Sequence, residues 1–321
     1  MACVFSANDP FANSLGEGAP LRSTPLSNDE FRIGMQGRFG VPLACLKSHT
    51  NLPLKSKASV SDKHVDIYGN NIKKLVGAEG GGATANHNSF QNVISAWACR
   101  ARIRHQGGTS GTPQTCKGLF SAFTQPPLDP GVTEEYTRVL NKIIPDFHFQ
   151  LQGVGEAYEN VEGMGLSGEQ PLGEVKTKAP NSDYHEDEPP VAARQAEVAR
   201  EYLKRAAKID ELNGHPPGTD GPMATELKRY NRGQVLVFVM GAFAEMSGDV
   251  SRICDIIAHE LARIHVSYNN DDAKRSKGMY RQRIQKSWGH TAHRGWARLL
   301  PGRARDSSPT ARCAMATTTA W

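Results

Sequence analysis

Apolar and polar residues fall into regular periods between residues 87 and 266, and those periods predict an alternation of helices and strands. Phe90, Val93, Ile94, Trp97 and Ala101 repeat at the spacing of one helical face, with Asn88 or Ser89 as the capping residue. A Gly-, Thr- and Pro-rich stretch follows, and Thr133, Glu134 and Glu135 then open a short helix whose stripe is Tyr136, Val139, Leu140 and Ile143. Residues 145 to 152 change period, setting Phe147, Phe149 and Leu151 on one face and Asp146, His148 and Gln150 on the other, as a half-buried strand requires. Residues 172 to 179 alternate likewise, with Val175, Thr177 and Ala179 opposite Glu174, Lys176 and Lys178. Pro189 and Pro190 start a long helix marked by Val191, Val198, Tyr202, Ala206, Ile209 and Leu212. Residues 235 to 243 are apolar on both faces, the pattern of a central strand covered by helices. Ser247 and Asp249 introduce a further helix carrying Val250, Ile253, Ile257, Leu261 and Ile264. The fold class read from this order is α/β, a mixed central sheet flanked by helices.

Outside this block the periods weaken. Residues 1 to 30, rich in Ser, Asn, Pro and Gly, read as a disordered leader, residues 31 to 86 as an irregular N-terminal segment, and residues 301 to 321 as a disordered tail. Residues 267 to 300 read as a basic helical extension. The net charge of +5 is small for 321 residues, but from residue 274 to residue 312 a run of Arg and Lys is opposed by Asp306 alone. Such a stretch suits a polyanion, because neutralising phosphates releases condensed counterions. Arg281, Arg283 and Arg294 in that run, with Arg194 and Lys204 on the outer face of the long helix, are the candidate nucleic-acid contacts; a solvated basic face is the alternative. No window approaches the roughly 20 apolar residues of a spanning helix. The first ten residues lack both a basic and an apolar signal region, so an intracellular protein without a membrane partner is expected. The six cysteines are widely separated, which argues for isolated thiols over a disulfide framework.

One constellation could carry chemistry, with an ordinary polar sheet face as the alternative reading. Glu174 and Lys176 stand two residues apart on one strand and project from the same face, while Asp146 starts the preceding strand. Carboxylates supply the hard oxygen donors that Mg²⁺ or Mn²⁺ takes, and an ammonium beside them can orient an attacking water. The order helix, strand, strand, helix, strand, helix, with Pro145-Asp146 followed by Glu174-Val175-Lys176, resembles the core and motif of PD-(D/E)XK nucleases. The resemblance implies Asp146 and Glu174 as metal ligands, Lys176 as the third catalytic residue, Mg²⁺ as cofactor and phosphodiester hydrolysis as the reaction. The 28-residue separation is long for a hairpin, and Gly153, Gly155, Gly163, Gly165 and Gly168 suit an extended loop between the strands.

A closer resemblance rests on Gly80-Gly81-Gly82 through His87-Asn88, Gly173-Glu174-Val175-Lys176, Tyr184-His185, Gly241-Ala242-Phe243 and the stretch from Trp288 to Trp296. Together these resemble the restriction-enzyme-like endonuclease region of non-LTR retrotransposon polyproteins, over roughly residues 32 to 300. The family carries a Cys/Cys/His/Cys knuckle ahead of an Arg-His-Asn element. Here only Cys45 and His64 remain near the expected knuckle, and Asn86 stands where the arginine would be, so no structural zinc is expected. The resemblance implies a DNA partner, with RNA as the alternative, and a nuclear location for an enzyme active on DNA; oligomeric state is left open. His87, His148 and His185 are the accessory site candidates. The competing reading is a catalytically inactive nucleic-acid-binding remnant of such a domain. His259 and His265 flank a Glu as in a zinc-protease helix, but their i, i+6 spacing puts them on different faces. Trp288, His290, His293 and Trp296 suit either base stacking or the anchoring of a C-terminal helix.

Overall fold

Alternation along three strands divides the interior of the protein into two apolar layers. The computed structural model describes residues 9–16, 25–55, 60–74, 82–107, 116, 120, 130–151, 170–178, 190–230, 235–265 and 273–307. Its main sheet has the order β3-β4-β5-β6, formed by Arg104–Gln106, Phe147–Gln150, Leu172–Thr177 and Val235–Met240. The first two pairings are antiparallel and the third is parallel. Phe147, Phe149, Val175 and Phe238 face one layer, with helix α3 (Gly82–Arg100), α7 (Gly248–Ile264) and α8 (Ala273–Asp306). Leu172, Val235, Val237 and Val239 face the other, with α4 (Pro130–Ile143), α5 (Pro190–Leu212) and α6 (Pro222–Arg229). Parallel pairing of β5 with β6 demands a crossover, and α5 and α6 supply it. The expected mixed sheet flanked by helices is present.

Two strand-level expectations change. The strands are shorter than their alternating stretches, and β6 ends the sheet where a central strand was expected. All six of its residues are nevertheless buried, because helices cover both faces and the following turn covers its edge. Ser247 Oγ accepts from Val239 N at 3.0 Å and donates to Val237 O at 2.7 Å, while Asp249 accepts from Val237 N at 2.9 Å. Side chains thus take the place of a fifth strand. Ser247, directly ahead of α7, turns its hydroxyl to the sheet edge and makes no side-chain cap.

The N-terminal segments are more ordered than composition suggests. Within the expected leader, residues 12 to 15 form a 3₁₀ turn, and α1 (Asn28–Arg38) opens with a Ser27/Glu30 capping box. Phe11 is fully buried and stacks on Trp288 at 6.2 Å between ring centroids. Asp9 accepts from the backbone N–H of Phe11 and Ala12 and from that of Met246 at 3.1 Å, fastening the segment to the β6–α7 turn. The expected irregular segment contains a hairpin of β1 (Pro53–Lys55) and β2 (Val60–His64) and the short α2 (Asn70–Lys74). Its Leu43, Leu46, Leu54 and Ile72 form a third apolar cluster with Ile33 of α1 and Leu300 of α8. Helix α3 also begins five residues before the expected domain boundary.

Helix α8 is a core element, not an extension. Ile284, Trp288 and Ala292 lie in the sheet-facing layer, and Trp296 donates to Gly241 O at 3.2 Å. His290 and His293 are buried against Ser14 O and Ala12 O, so these histidines and tryptophans anchor the helix and are not free to stack on bases. Pro301 ought to end the helix. It continues to Asp306 because Leu300 and Ala304 remain packed in the third cluster, which moves the expected start of a disordered tail beyond the described residues.

Two measurements test this packing. Phe11→Ala removes a fully buried ring and should destabilise the fold by roughly 3–5 kcal/mol in denaturant titration; a disordered leader would give no change. His293 is held neutral, burial depressing its pKa to about 3 from an ordinary 6.5. A depressed histidine contributes stability that is complete above the unfolded value and is lost as pH falls toward the folded one. Wild type should therefore lose stability between pH 6.5 and about 3 more steeply than His293→Gln, measured by denaturation across that window.

Candidate active site

Asp146 stands one residue ahead of β4, and the antiparallel register of Phe147 with Gly173 sets it across from Glu174. Its Oδ2 accepts from Val175 N at 2.8 Å, so the side chain bridges to the backbone of β5 at the residue between Glu174 and Lys176. Helix α3 supports it from one side: His87 Nε2 lies 3.0 Å from the same Oδ2, and Gln91 donates to the Asp146 carbonyl at 3.1 Å. These two residues are one helical turn apart, which is why both reach a single neighbour. Gly107 closes the backbone side. Its φ is +94°, and a Cβ there would come within 1.9 Å of the Asp146 carbonyl oxygen.

Glu174 lies deeper. Its side chain is 7% exposed against 31% for Lys176, and both carboxylate oxygens are engaged, one by the Lys176 ammonium and the other by Tyr202 Oη, which donates at 2.5 Å. Burial and then the nearby charge of Asp146 push the Glu174 carboxyl above its ordinary value. Burial and the same Glu174 charge hold the Tyr202 phenol well above its ordinary value, so it stays a donor. At His87 burial opposes the charge, but the hydrogen bond and charge of Asp146 outweigh it and the pKa is raised. Cys116 is also near: burial and Asp146 push its thiol up to about 12, which removes it as a neutral-pH nucleophile.

The structure thus brings together Asp146, Glu174, Lys176 and His87 from the sequence reading and adds Tyr202, Gln91 and Gly107. The sequence pattern places Tyr202 at one apolar position of a helical stripe. Its buried ring fits that reading, and only the fold reveals where the hydroxyl points. His148 is on the same sheet face but engaged elsewhere, 3.0 Å from Gln170 Oε1 and edge-on to Tyr230, and burial lowers its pKa. His185 and the glycine-rich stretch between the two strands lie outside the described residues.

Two carboxylates facing each other fit a hard divalent cation in kind. They supply only part of the six-oxygen shell that Mg²⁺ takes, so water or substrate oxygens would have to complete it. Among the described residues no three His, Cys, Asp or Glu side chains form a metal-binding group. Cys45 is half-buried and His64 exposed in the N-terminal hairpin region. His259 and His265 do not converge, the latter lying at the end of α7, 2.6 Å from Tyr280 Oη.

The candidate nucleic-acid residues are dispersed. Lys204 and Arg283 are exposed, Arg194 pairs with Glu197, Arg281 with Asp255 at 2.9 Å, and Arg294 is half-buried between Glu30 and Pro25 O. Among the described residues no helix is long and apolar enough to cross a membrane.

The Tyr202–Glu174 hydrogen bond can be weighed directly. Tyr202→Phe should cost about 1.5–3 kcal/mol at neutral pH, as for a bond to a charged acceptor, and much less in a Glu174→Gln background. A double-mutant cycle by denaturant titration reads the difference; equal costs in both backgrounds would detach Tyr202 from the site. No protein-family model matches this sequence, no curated protein matches it, and no solved structure matches its fold.

Proposed function

We propose that the protein is a metal-dependent endonuclease that hydrolyses phosphodiester bonds of DNA, with a PD-(D/E)XK nuclease-like core of retroelement origin. The observation that carries this reading is the Asp146 Oδ2 bond to Val175 N, which sets one carboxylate beside the Glu174/Lys176 pair. Asp146 and Glu174 would hold Mg²⁺ or Mn²⁺, and the bound ion would polarise the phosphate and lower the pKa of a water. The protein's own contributions follow from its contacts. Tyr202 fixes the orientation of Glu174, and His87, Gln91 and the close approach at Gly107 fix that of Asp146. Lys176, the most exposed of the three motif residues, can turn from Glu174 to orient the attacking water or neutralise charge on the phosphate. Lys204 and Arg283 are exposed cations able to meet the backbone of a duplex.

One observation favours a second reading. Both oxygens of Glu174 are already satisfied inside the protein, as in an inactive nucleic-acid-binding remnant. Nicking of supercoiled plasmid in Mn²⁺, with EDTA as control, separates the two. The nuclease reading expects nicking that is lost in Asp146→Ala and Glu174→Ala and lowered roughly 100-fold or more in Lys176→Met. Folded wild type that binds DNA without nicking it would leave the remnant as the better account.

A further inference from the structure

Helices α3 and α8 touch at one level and part at the next. Gly295 makes the close approach, since a Cβ there would meet Asn86 Oδ1 at 2.5 Å. Beyond that contact the helices leave a groove of about 630 Å³, in the size range of small-molecule sites. Asn86 and Ser89 of α3 face Arg294, Arg298 and Arg303 of α8 across it. None of Asp146, Glu174, Lys176 or His87 lines the groove, so it is separate from the candidate active site.

Each wall holds one buried donor group that lacks a hydrogen-bond partner among the described residues. Asn86 is 5% exposed and Arg303 8%, yet Asn86 Nδ2 and Arg303 Nη1 have no hydrogen-bond partner among the described residues, and Arg294 Nε has only the Glu30 carboxylate, at 3.8 Å. An unmade hydrogen bond at a buried group is costly, and a buried guanidinium that lacks its acceptors more so. Three guanidinium groups are opposed here by two carboxylates: Glu30, on α1, lies 3.8 Å from Arg294 and 2.5 Å from Arg298, and Asp306 lines the far end. The groove therefore carries an excess positive charge.

We propose that this groove binds a phosphate-bearing ligand of nucleotide size. The unpartnered groups come from both walls, Asn86 from α3 and Arg303 from α8. A tetrahedral phosphate, with several acceptor oxygens in different directions, can meet both walls at once, whereas a planar carboxylate presents two oxygens in one plane. Ala85, Val93 and Leu299 give the uncharged body of such a ligand an apolar surface. The phosphate could belong to a free nucleotide or to a nucleic-acid chain, and the chemistry recognised is the same.

Calorimetric titration of the full chain without divalent metal tests this, using AMP, adenosine and a short oligothymidylate as probes. Gly302 lines the groove, and a Cβ added there meets nothing within 4 Å, so Gly302→Glu places a carboxylate in the site with packing preserved. Arg303→Met removes the buried donor itself. The expected result is saturable binding of AMP, absent with adenosine and weakened about tenfold or more by either substitution. Binding of the oligothymidylate alone, lost in Gly302→Glu, would support the same site and assign the phosphate to a chain. The proposal is overturned if neither phosphate probe binds, if adenosine binds as well as AMP, or if Gly302→Glu leaves affinity unchanged. The groove shares no residue with the metal-dependent reading, so its failure would leave that reading untouched.

Discussion

A carboxylate on a strand that is covered on both faces has to be compensated where it stands, and Glu174 is such a group. Strand β5 lies between two apolar layers, and its register with β6 sets Glu174 beside Val237 and Val175 beside Phe238. Burying an unpaired charge there would cost several kcal/mol. The fold answers with a phenol from α5 and an ammonium from two residues further along the same strand. Asp146 worsens the electrostatics, since its charge adds to burial in raising the Glu174 carboxyl. Two facing carboxylates are an arrangement that folding alone does not favour, and an apolar residue at position 174 would pack into the same layer without the penalty. Local frustration of this kind is characteristic of sites kept for chemistry.

The rest of the architecture holds that strand in place. Helix α8 packs against α3, α7, α1 and the 3₁₀ turn of the N-terminal segment, so one helix joins the sheet to residues more than 250 positions earlier in the chain. Trp288 is its central contact, stacked on Phe11 and edge-on to Phe90 of α3. A fully buried ring of that size contributes on the order of 1.5–3 kcal/mol of transfer free energy, more than the surface ion pairs of the same helix. Because α3 also carries His87 and Gln91, the position of Asp146 depends on how α3 sits against α8.

The sheet and its motif were legible because period is a local property. Strands β4 to β6 and helices α5 and α7 all fall within the stretches whose alternation or 3.6-residue repeat is plain in the sequence, and α4 starts at Pro130, three residues ahead of the expected opening at Thr133. Residues whose role depends on distant partners were not legible. Asp9 looks like part of a polar leader until its carboxylate meets Met246, and Phe11 looks isolated until Trp288, far along the chain, covers it. Pro301 is a sound stop signal that packing overrides. Strand β6 was read as central because burial on both faces usually means that, and the fold obtains the same burial at an edge by turning Ser247 and Asp249 onto its backbone. Among the site residues, Asp146, Glu174 and Lys176 follow from type and spacing. Tyr202 does not, since a tyrosine on an apolar stripe gives no sign of where its hydroxyl points.

Helix α3 shows how one short segment can serve two places. His87 and Gln91, four residues apart, point to Asp146, whereas Asn86, Ser89 and Val93 line the groove against α8. A helix is stiff over so short a distance, so a ligand that drew α8 and α3 together at the groove would act on the helix that orients Asp146. The apolar stripe of α3, Phe90, Ile94 and Trp97, lies in the sheet-facing core and resists rotation about the helix axis. Translation of α3 along α8 is opposed as well, by the edge contact of Phe90 with Trp288 and by the 3.1 Å hydrogen bond that Trp97 Nε1 donates to Ser287 Oγ. Held in both directions, α3 gives the candidate site and the groove one rigid support.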